Sequence, residues 1–362
     1  MSCRLIFEAR DFDTPFHASR NFMLLPIPPQ MIIFTIFKGS PSGNILESTT
    51  HKDGLKSDEV LLKITHAGLC GTDLHYKTHD IVLSHEGVGI VQEVGSEVTT
   101  FKKGDRAGWG YLHNSCGHCD ECFSGNEIFC PERAMYGFAD KDQGGFASHA
   151  VWKAGFLFHI PDKISPSHAA PLMCAGGTVF NAMHLYGMLP TDRVGIIGVG
   201  GLGHLAIQFA AKMGCEVVVF SGTKEKEKEA KGLGATEFYT TKDLEQKVEI
   251  GAIKHLFVTA SKQPDWTSYL NILAPRATIY PLTVSTDALT LPYMQLVGNG
   301  ITVQGSICPS RGTHVKMLRF AALHNIKPIV EEFPLTKAGI EKAMEKLENG
   351  DVRYRAVLVA EK

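Results

Sequence analysis

The 362-residue sequence has almost no net charge, because its 36 lysines and arginines are balanced by 38 aspartates and glutamates. This balance gives the protein no electrostatic reason to bind nucleic acid or anionic lipid. With 44% hydrophobic and 20% charged residues, the composition also excludes an intrinsically disordered chain. The length exceeds the ~250–300 residues at which a single hydrophobic core stops growing, so we expect two domains.

The first residues lack the continuous apolar core of a secretory signal, because Glu8 and Arg10 interrupt the short apolar stretch. We expect a cytoplasmic protein with an N-terminal extension over residues 1–30, and acidic residues there argue against a mitochondrial presequence. The most apolar window, residues 194–211, resembles a membrane span. Its five glycines, His204 and Gln208 are better explained by a strand, a tight turn and a buried helix.

A disulfide framework is not expected in the cytoplasm, so the nine cysteines need another explanation. Short C-x-x-C steps are typical of a tetrahedral zinc site. Four cysteines follow this pattern: Cys116, Cys119, Cys122 and Cys130. Four thiolates leave no position open for a substrate, so we predict a structural zinc ion that stabilises a lobe without a core of its own. A redox cluster, or disulfides in a secreted protein, is the alternative.

Two patterns of secondary structure follow one another along the chain. From residue 31 to about 174, short β-branched runs between glycine and polar turns predict a barrel-like β domain. Strands predicted at 193–198, 216–220 and 255–258 then alternate with helices at 202–213 and 224–233, which indicates a parallel sheet. A helix over 336–347 and a strand over 356–360 complete the predicted α/β protein.

A G-x-G-x-x-G motif follows the first strand of the predicted parallel sheet and opens the next helix. In that context the glycines let the backbone approach a pyrophosphate, and the helix N-terminus supplies free N–H groups. We therefore predict that a dinucleotide binds to this turn: Gly198, Val199, Gly200, Gly201, Leu202 and Gly203.

The end of the following strand lacks the carboxylate that NAD-dependent enzymes place against the ribose 2′-hydroxyl. Hydroxyls and a lysine stand there instead, and they suit a 2′-phosphate: Ser221, Gly222, Thr223 and Lys224. We predict that the efficiency with NADPH exceeds that with NADH by more than about tenfold. A plain turn before a charged helix is the alternative.

A second group of metal-ligand residue types is dispersed over Cys70, the pair His85 and Glu86, and Cys174. Taken singly, a buried cysteine is usually core filler and a lone histidine is usually just hydrogen-bonded. Two thiolates and an imidazole with a vacant position are also the ligand set of a catalytic zinc. The spacing alone leaves both interpretations open.

Together these motifs resemble the zinc-dependent medium-chain alcohol dehydrogenases, most closely their NADP-linked cinnamyl alcohol dehydrogenase-like branch. The likeness runs from about residue 34 to 360 through G-x-C-x-T-D-L-H, H-E-G-V-G, the four-cysteine lobe, C-A-G-x-T-V, G-x-G-G-L-G-H-L and V-R-Y-R. It implies a GroES-like β-barrel catalytic domain and a Rossmann doubly wound parallel sheet. The expected limits are 31–174 for the catalytic domain with its zinc lobe at 113–133, 175–312 for the NADP-binding domain and 313–362 for a return to the catalytic domain.

The resemblance also implies roles for the dispersed metal-ligand residues. Cys70, His85 and Cys174 would bind a catalytic zinc, and Glu86 would lie behind it, able to exchange with a ligand. Asp73 would orient the His85 ring.

Proton transfer and cofactor binding are implied for a further set of residues. Thr72 and His75 would relay a proton to the product oxygen. Additional cofactor contacts are implied for Thr72, Thr178, Thr259, Ser306, Ile307 and Cys308.

The implied protein is a homodimeric enzyme with two zinc ions per chain, one catalytic and one structural. It transfers hydride between NADP(H) and a primary alcohol/aldehyde pair, and aldehyde reduction is the expected direction. A polyol or secondary-alcohol dehydrogenase of the same superfamily is the nearest alternative. A non-catalytic nucleotide-binding protein is the alternative of a different class, and it would hold one zinc ion rather than two.

Overall fold

The structure is a computed structural model that describes residues 31–246 and 249–361, and the predicted N-terminal extension therefore lies outside the described residues. The strands are β1 (Ile32–Lys38), β2 (Leu46–Lys52), β3 (Glu59–Leu69), β4 (Glu86–Val94), β5 (Arg106–Trp109), β6 (Leu112–Asn114), β7 (Ala134–Met135), β8 (His149–Lys153), β9 (Phe158–His159), β10 (Arg193–Ile197), β11 (Glu216–Ser221), β12 (Glu237–Thr240), β13 (Ile253–Val258), β14 (Leu273–Pro281), β15 (Thr302–Val303), β16 (Val330–Pro334) and β17 (Arg355–Val359).

The helices alternate with these strands mainly in the second half of the chain. They are α1 (Gly71–Tyr76), α2 (Asp120–Phe123), α3 (Pro166–Pro171), α4 (Gly177–Leu185), α5 (Gly203–Lys212), α6 (Glu227–Leu233), α7 (Thr241–Glu245), α8 (Trp266–Leu270), α9 (Tyr293–Asn299), α10 (Arg311–His324) and α11 (Lys337–Glu348). Within the described residues, no helix is long and apolar enough to cross a membrane.

A six-stranded parallel sheet forms one half of the molecule, in the order β12-β11-β10-β13-β14-β15. Its central strands β10, β11 and β13 are nearly continuous apolar runs because helices cover both faces of a parallel sheet. The order is that of a doubly wound fold, in which ligands bind where the strand order reverses. That reversal lies between β10 and β13, beside the glycine-rich turn.

A second sheet joins both ends of the chain. Its strands run in the order β16-β17-β3-β4-β5-β9, with β8 also paired to β3, and most neighbours are antiparallel. Strand β17 pairs with β3, so Ala356 lies opposite Leu69 at the end where Cys70 follows. The expected fold class, a β domain combined with a doubly wound parallel sheet, is confirmed, whereas the domain limits stay a prediction.

Local boundaries differ from expectation in three places. The strand predicted from residue 146 begins only at His149, because Gly145 and Phe146 bond to the backbone of Ser84 and Leu83 instead of β3. The helix predicted over 224–233 is divided into a 3₁₀ turn, Lys224–Lys226, and α6. Residues Leu172–Gly176 form a π-helical turn that carries Cys174, a feature that apolar periodicity does not reveal.

Candidate active site

The dispersed metal-ligand residues come together in one buried group. Cys70 precedes α1, His85 and Glu86 lie at the start of β4, and Cys174 lies on the π-helical turn before α4. One donor atom from each of the four residues lies within 4.8 Å of all the others. The Sγ atoms of Cys70 and Cys174 are 4.0 Å apart.

The donor group fits a zinc ion. The side chain of His85 is fully buried, yet neither of its ring nitrogens has a hydrogen-bond partner, and Glu86 Oε2 also lacks one. Buried polar atoms without partners are costly, and metal coordination would satisfy them. Two thiolates and one imidazole are a donor set that zinc prefers, and they leave a fourth position for a substrate or for Glu86.

Protons compete for the same donor atoms. The hydrogen bond from Cys174 lowers the pKa of Cys70 well below its ordinary value, and the same contact raises the pKa of Cys174. Burial lowers the pKa of His85, but the neighbouring Asp73 carboxylate outweighs burial and raises this pKa to about 10. Burial raises the pKa of Glu86 to about 7 against the opposing effect of Arg355. Because a bound metal must displace these protons, its affinity depends on pH.

Asp73 organises the backbone around the donor group. Its buried carboxylate accepts hydrogen bonds from the backbone N–H groups of Cys70 at 2.8 Å and Ser84 at 3.0 Å, and from the Tyr136 hydroxyl at 2.8 Å. Asp73 Oδ1 is 3.5 Å from His85 Nδ1, and no hydrogen bond joins these two atoms. Asp73 therefore positions the segments that carry two of the donors and makes only a charge contact with the His85 ring.

Ser84 adopts a φ of 72°, a conformation that favours glycine. Its hydroxyl donates to Gly68 O at 2.8 Å and accepts from Glu86 N at 3.3 Å. These bonds offset the backbone strain and help to hold the turn that presents His85.

Arg355 contacts the donor group, although the sequence analysis gave it no role. It is buried on β17 and donates from Nη2 to Glu86 Oε1. A Cβ atom at Gly201 would lie only 3.2 Å from Arg355 Cδ, so the arginine stem also lies against the glycine-rich turn. Arg355 thus links the metal-facing carboxylate to the predicted dinucleotide site. The V-R-Y-R motif was the available signal.

The four cysteines of the lobe, Cys116, Cys119, Cys122 and Cys130, also cluster, with all Sγ atoms within 4.8 Å of one another. The Sγ atoms of Cys116 and Cys122 are 3.9 Å apart, and Cys116 N donates to Cys130 Sγ at 3.4 Å. Four thiols at these distances fit a tetrahedral zinc ion with no open position.

The glycine-rich turn has the shape of a phosphate cradle. Gly198 has a φ of 95°, and a Cβ atom at Gly203 would lie well under 3.0 Å from Gly198 O, so helix and strand pack too closely for a larger residue. Gly200 faces open space, because a Cβ atom added there would have no other atom within 4 Å. Thr259 Oγ1 donates to Gly198 O at 3.1 Å, beside the turn. Lys226, which the sequence motifs did not indicate, donates to Val199 O at 2.9 Å.

The other residues predicted to bind the cofactor lie at the end of β11, on α4 and in the segment 306–308. Ser221 ends β11 and is buried, and the three residues after it, Gly222, Thr223 and Lys224, are exposed. Thr178 is half-buried on α4. On the same helix, Asn181 Nδ2 donates to Ser306 Oγ and Ile307 O, at 3.2 and 3.3 Å.

The proposed relay residues are less closely joined. Thr72 Oγ1 lies 3.8 Å from Cys70 Sγ, so its hydroxyl lies beside the donor group. His75 is exposed on the same helix, and the described contacts include no hydrogen bond between it and Thr72. The structure thus brings the metal donors together without joining these two residues.

Two family models match the chain: "Alcohol dehydrogenase GroES-like domain" over residues 56–162 and "Zinc-binding dehydrogenase" over residues 201–322. Cinnamyl alcohol dehydrogenase 8 from Arabidopsis thaliana is 36% identical over 315 residues, which cover 83% of this chain and 87% of the relative. The solved structure of a cinnamyl alcohol dehydrogenase from Sorghum bicolor matches with a TM-score of 0.85 and 31% identity, over 91% of this chain and 98% of that one. The CAD from Helicobacter pylori, solved in complex with NADP(H), matches with a TM-score of 0.81 and 26% identity, over 91% and 99% of the two chains.

Proposed function

Because this chain belongs to the zinc-dependent medium-chain alcohol dehydrogenase superfamily, we propose that it interconverts primary alcohols and aldehydes with NADP(H), and that it mainly reduces aldehydes. The observation that carries the reaction is the grouping of Cys70, His85 and Cys174. One donor atom of each lies within 4.8 Å of the others, and the ring nitrogens of His85 are buried without hydrogen-bond partners. Two zinc ions per chain and a homodimer remain part of the proposal.

Zinc and the nicotinamide cofactor would supply one part of the chemistry, and the side chains of the protein supply the other part. When bound, zinc supplies Lewis-acid stabilisation of the substrate oxygen, and the nicotinamide supplies or accepts the hydride. Cys70, Cys174 and His85 hold the metal. Arg355 donates to Glu86 Oε1 and would hold this carboxyl group behind the metal.

The proton that the product oxygen needs is assigned to this chain's own side chains. We place it at Thr72 Oγ1, because this hydroxyl lies beside Cys70 Sγ. His75 lies one helical turn away and is exposed, so it can exchange the proton with water.

The cofactor preference follows from charge at the end of β11. A dinucleotide pyrophosphate is assigned to the free N–H groups at the start of α5. At the end of β11, Ser221, Thr223 and Lys224 provide hydroxyls and a cation, where a carboxylate would repel a 2′-phosphate. The Helicobacter pylori relative solved with NADP(H) supports the same choice.

Steady-state kinetics with cinnamaldehyde test the proposal. We expect kcat/KM of the wild type with NADPH to exceed that with NADH by more than about tenfold. Ser221→Asp should reverse this preference, because the new carboxylate repels the 2′-phosphate. Ser96→Asp, the same change at an exposed position of the β domain, is the matched control and should leave the ratio unaltered.

Three outcomes would contradict the proposal. Comparable efficiencies with the two cofactors would refute NADP(H) specificity. A sugar alcohol used better than the cinnamyl pair would point to a polyol dehydrogenase. Folded protein with one zinc ion per chain and no turnover would favour a nucleotide-binding protein.

A further inference from the structure

Glu127 connects the four-cysteine lobe to a distant helix. It lies three residues before Cys130, and only 3% of its side chain is exposed. Glu127 Oε1 accepts hydrogen bonds from the backbone N–H of Arg311 at 2.6 Å and from Arg311 Nε at 3.1 Å. Arg311 is the first residue of α10, so the bond joins parts of the chain that are 184 positions apart.

The Glu127 carboxylate acts as the N-terminal cap of α10. The first N–H groups of a helix have no partner within the helix, and a negative charge near them is stabilising. Ser310, the residue in the capping position, accepts from none of these groups, and its hydroxyl donates to Thr313 Oγ1 at 3.3 Å. Arg311 is held further by Gly155 O, 3.1 Å from its Nη1 atom.

The start of α10 follows directly on the segment 306–308, which the sequence resemblance assigns to the cofactor. Asn181 Nδ2 on α4 bonds to Ser306 Oγ and Ile307 O. Pro309 packs on Gly177 of the same helix, where an added Cβ atom would lie 2.9 Å from Pro309 Cγ. A shift at the start of α10 would therefore move this segment against α4.

Apolar side chains also link the four-cysteine lobe to the segment 306–308. Ile128, the neighbour of Glu127, is buried in a cluster with Trp109, Trp152 and other side chains of the β domain. Ile307 and Cys308 pack against that cluster. The lobe is thus joined to the start of α10 by the Glu127 carboxylate, and to the segment 306–308 by a shared apolar cluster.

We propose that Glu127 is a positioning residue through which the four-cysteine lobe holds the segment 306–308 in place for cofactor binding. The inference rests on the proposed function, because it takes that segment to contact NADP(H). Glu127 itself touches neither cofactor nor substrate. A lobe that loses its metal would release Glu127 and weaken cofactor binding at a distance.

The test compares Glu127→Gln with Glu237→Gln. The first variant keeps the size of the side chain and one acceptor oxygen but removes the charge at the start of α10. The second removes a carboxylate that accepts from Arg193 Nη2 at 2.7 Å on the six-stranded sheet, and it controls for the loss of an ion pair that caps no helix.

Two measurements are made on protein with both zinc sites filled: the dissociation constant of NADPH by fluorescence titration, and amide hydrogen exchange over residues 306–314. We expect Glu127→Gln to weaken NADPH binding about fivefold or more, the low end of couplings between distinct sites, and to speed exchange in this segment. Glu237→Gln should change neither quantity. Arg311→Lys keeps the backbone bond to Glu127 and should give a smaller effect of the same sign.

The possible results distinguish a failure of the inference about Glu127 from a failure of the proposed function. Unchanged NADPH affinity and exchange in folded, zinc-loaded Glu127→Gln would overturn the inference. If that variant does not fold, unchanged values in Arg311→Lys would overturn it equally. A wild-type protein that binds neither NADPH nor NADH would instead overturn the proposed function, and the inference with it.

Discussion

Replacing Asp73 by asparagine should loosen the donor group without changing its size. The carboxylate accepts three buried hydrogen bonds, from Cys70 N, Ser84 N and the Tyr136 hydroxyl. An asparagine side chain has one acceptor oxygen, so its NH2 group must face one of the two backbone N–H groups. Hydrogen bonds to charged groups contribute about 1.5–3 kcal/mol each, and a buried donor without a partner costs about 1–3 kcal/mol.

We therefore expect Asp73→Asn to lower the free energy of unfolding by about 3 kcal/mol. Because Cys70 and the turn before His85 lose their common anchor, zinc affinity should fall by about 10- to 100-fold, as for other residues that orient metal ligands. Urea denaturation measures the first quantity, and competition with a chelator followed by metal analysis measures the second.

Asp243→Asn is the matched control. Asp243 Oδ2 also accepts two hydrogen bonds, from Thr240 N at 2.6 Å and Thr240 Oγ1 at 2.8 Å, but at the start of α7 and away from the metal donors. It should cost less than Asp73→Asn, because Asp243 is only partly buried, as the third helical residue of a capping box, and it should leave zinc binding unchanged. The reasoning would be refuted if Asp73→Asn retained zinc as tightly as the wild type and lost no more stability than Asp243→Asn.

Two further predictions concern the glycine-rich turn. Gly203→Ala should destabilise the protein and abolish dinucleotide binding, because its Cβ would collide with Gly198 O. Gly200→Ala should keep the melting temperature of the wild type and only weaken binding. Equal melting temperatures of the two variants would contradict this packing argument. His204 donates from Nδ1 to Gly200 O at 2.8 Å and accepts from Ile329 N at 3.1 Å, and burial lowers its pKa from 6.5 to about 4. The neutral ring therefore contributes about 3 kcal/mol of stability that is fully present above pH 6.5 and is lost as the pH falls toward 4. In urea denaturation, the difference in unfolding free energy between the wild type and His204→Gln should shrink as the pH falls from about 7 to about 4.5. A difference that stays constant over this range would contradict the view that His204 is buried as a neutral ring.

Signals that lie close together in the chain predicted their structures well. Strand β10, the glycine-rich turn and α5 lie within one or two residues of expectation, because an apolar run, a G-x-G-x-x-G motif and a helical period are all local. The four-cysteine cluster is equally local, since C-x-x-C steps bring neighbouring thiols together whatever the rest of the chain does. The family and the fold class were predicted from these motifs and their order, and both are confirmed.

Apart from the metal donors implied by the resemblance, partners far apart in the chain were not predicted. Nothing near Glu86 in the sequence indicates Arg355, which is 269 positions away, and Glu127 gives no local sign of its bond to Arg311. The expectation that Asp73 orients the His85 ring stays a prediction, whereas its hydrogen bonds to the backbone N–H groups of Cys70 and Ser84 had no local signal. The π-helical turn at Cys174 likewise depends on how α3 and α4 pack.

The amino-acid sequence alone thus determined the four cysteine donors of the lobe and the turn that can approach a pyrophosphate, because residue type and short spacing suffice for both. The dispersed donors Cys70, His85 and Cys174 needed the family resemblance as well. Only the tertiary structure decided which charges face those donors. The antiparallel register of β17 on β3 brings Arg355 to the end of the strand that precedes Cys70, and a shift of one residue would direct its side chain to the opposite face of the sheet.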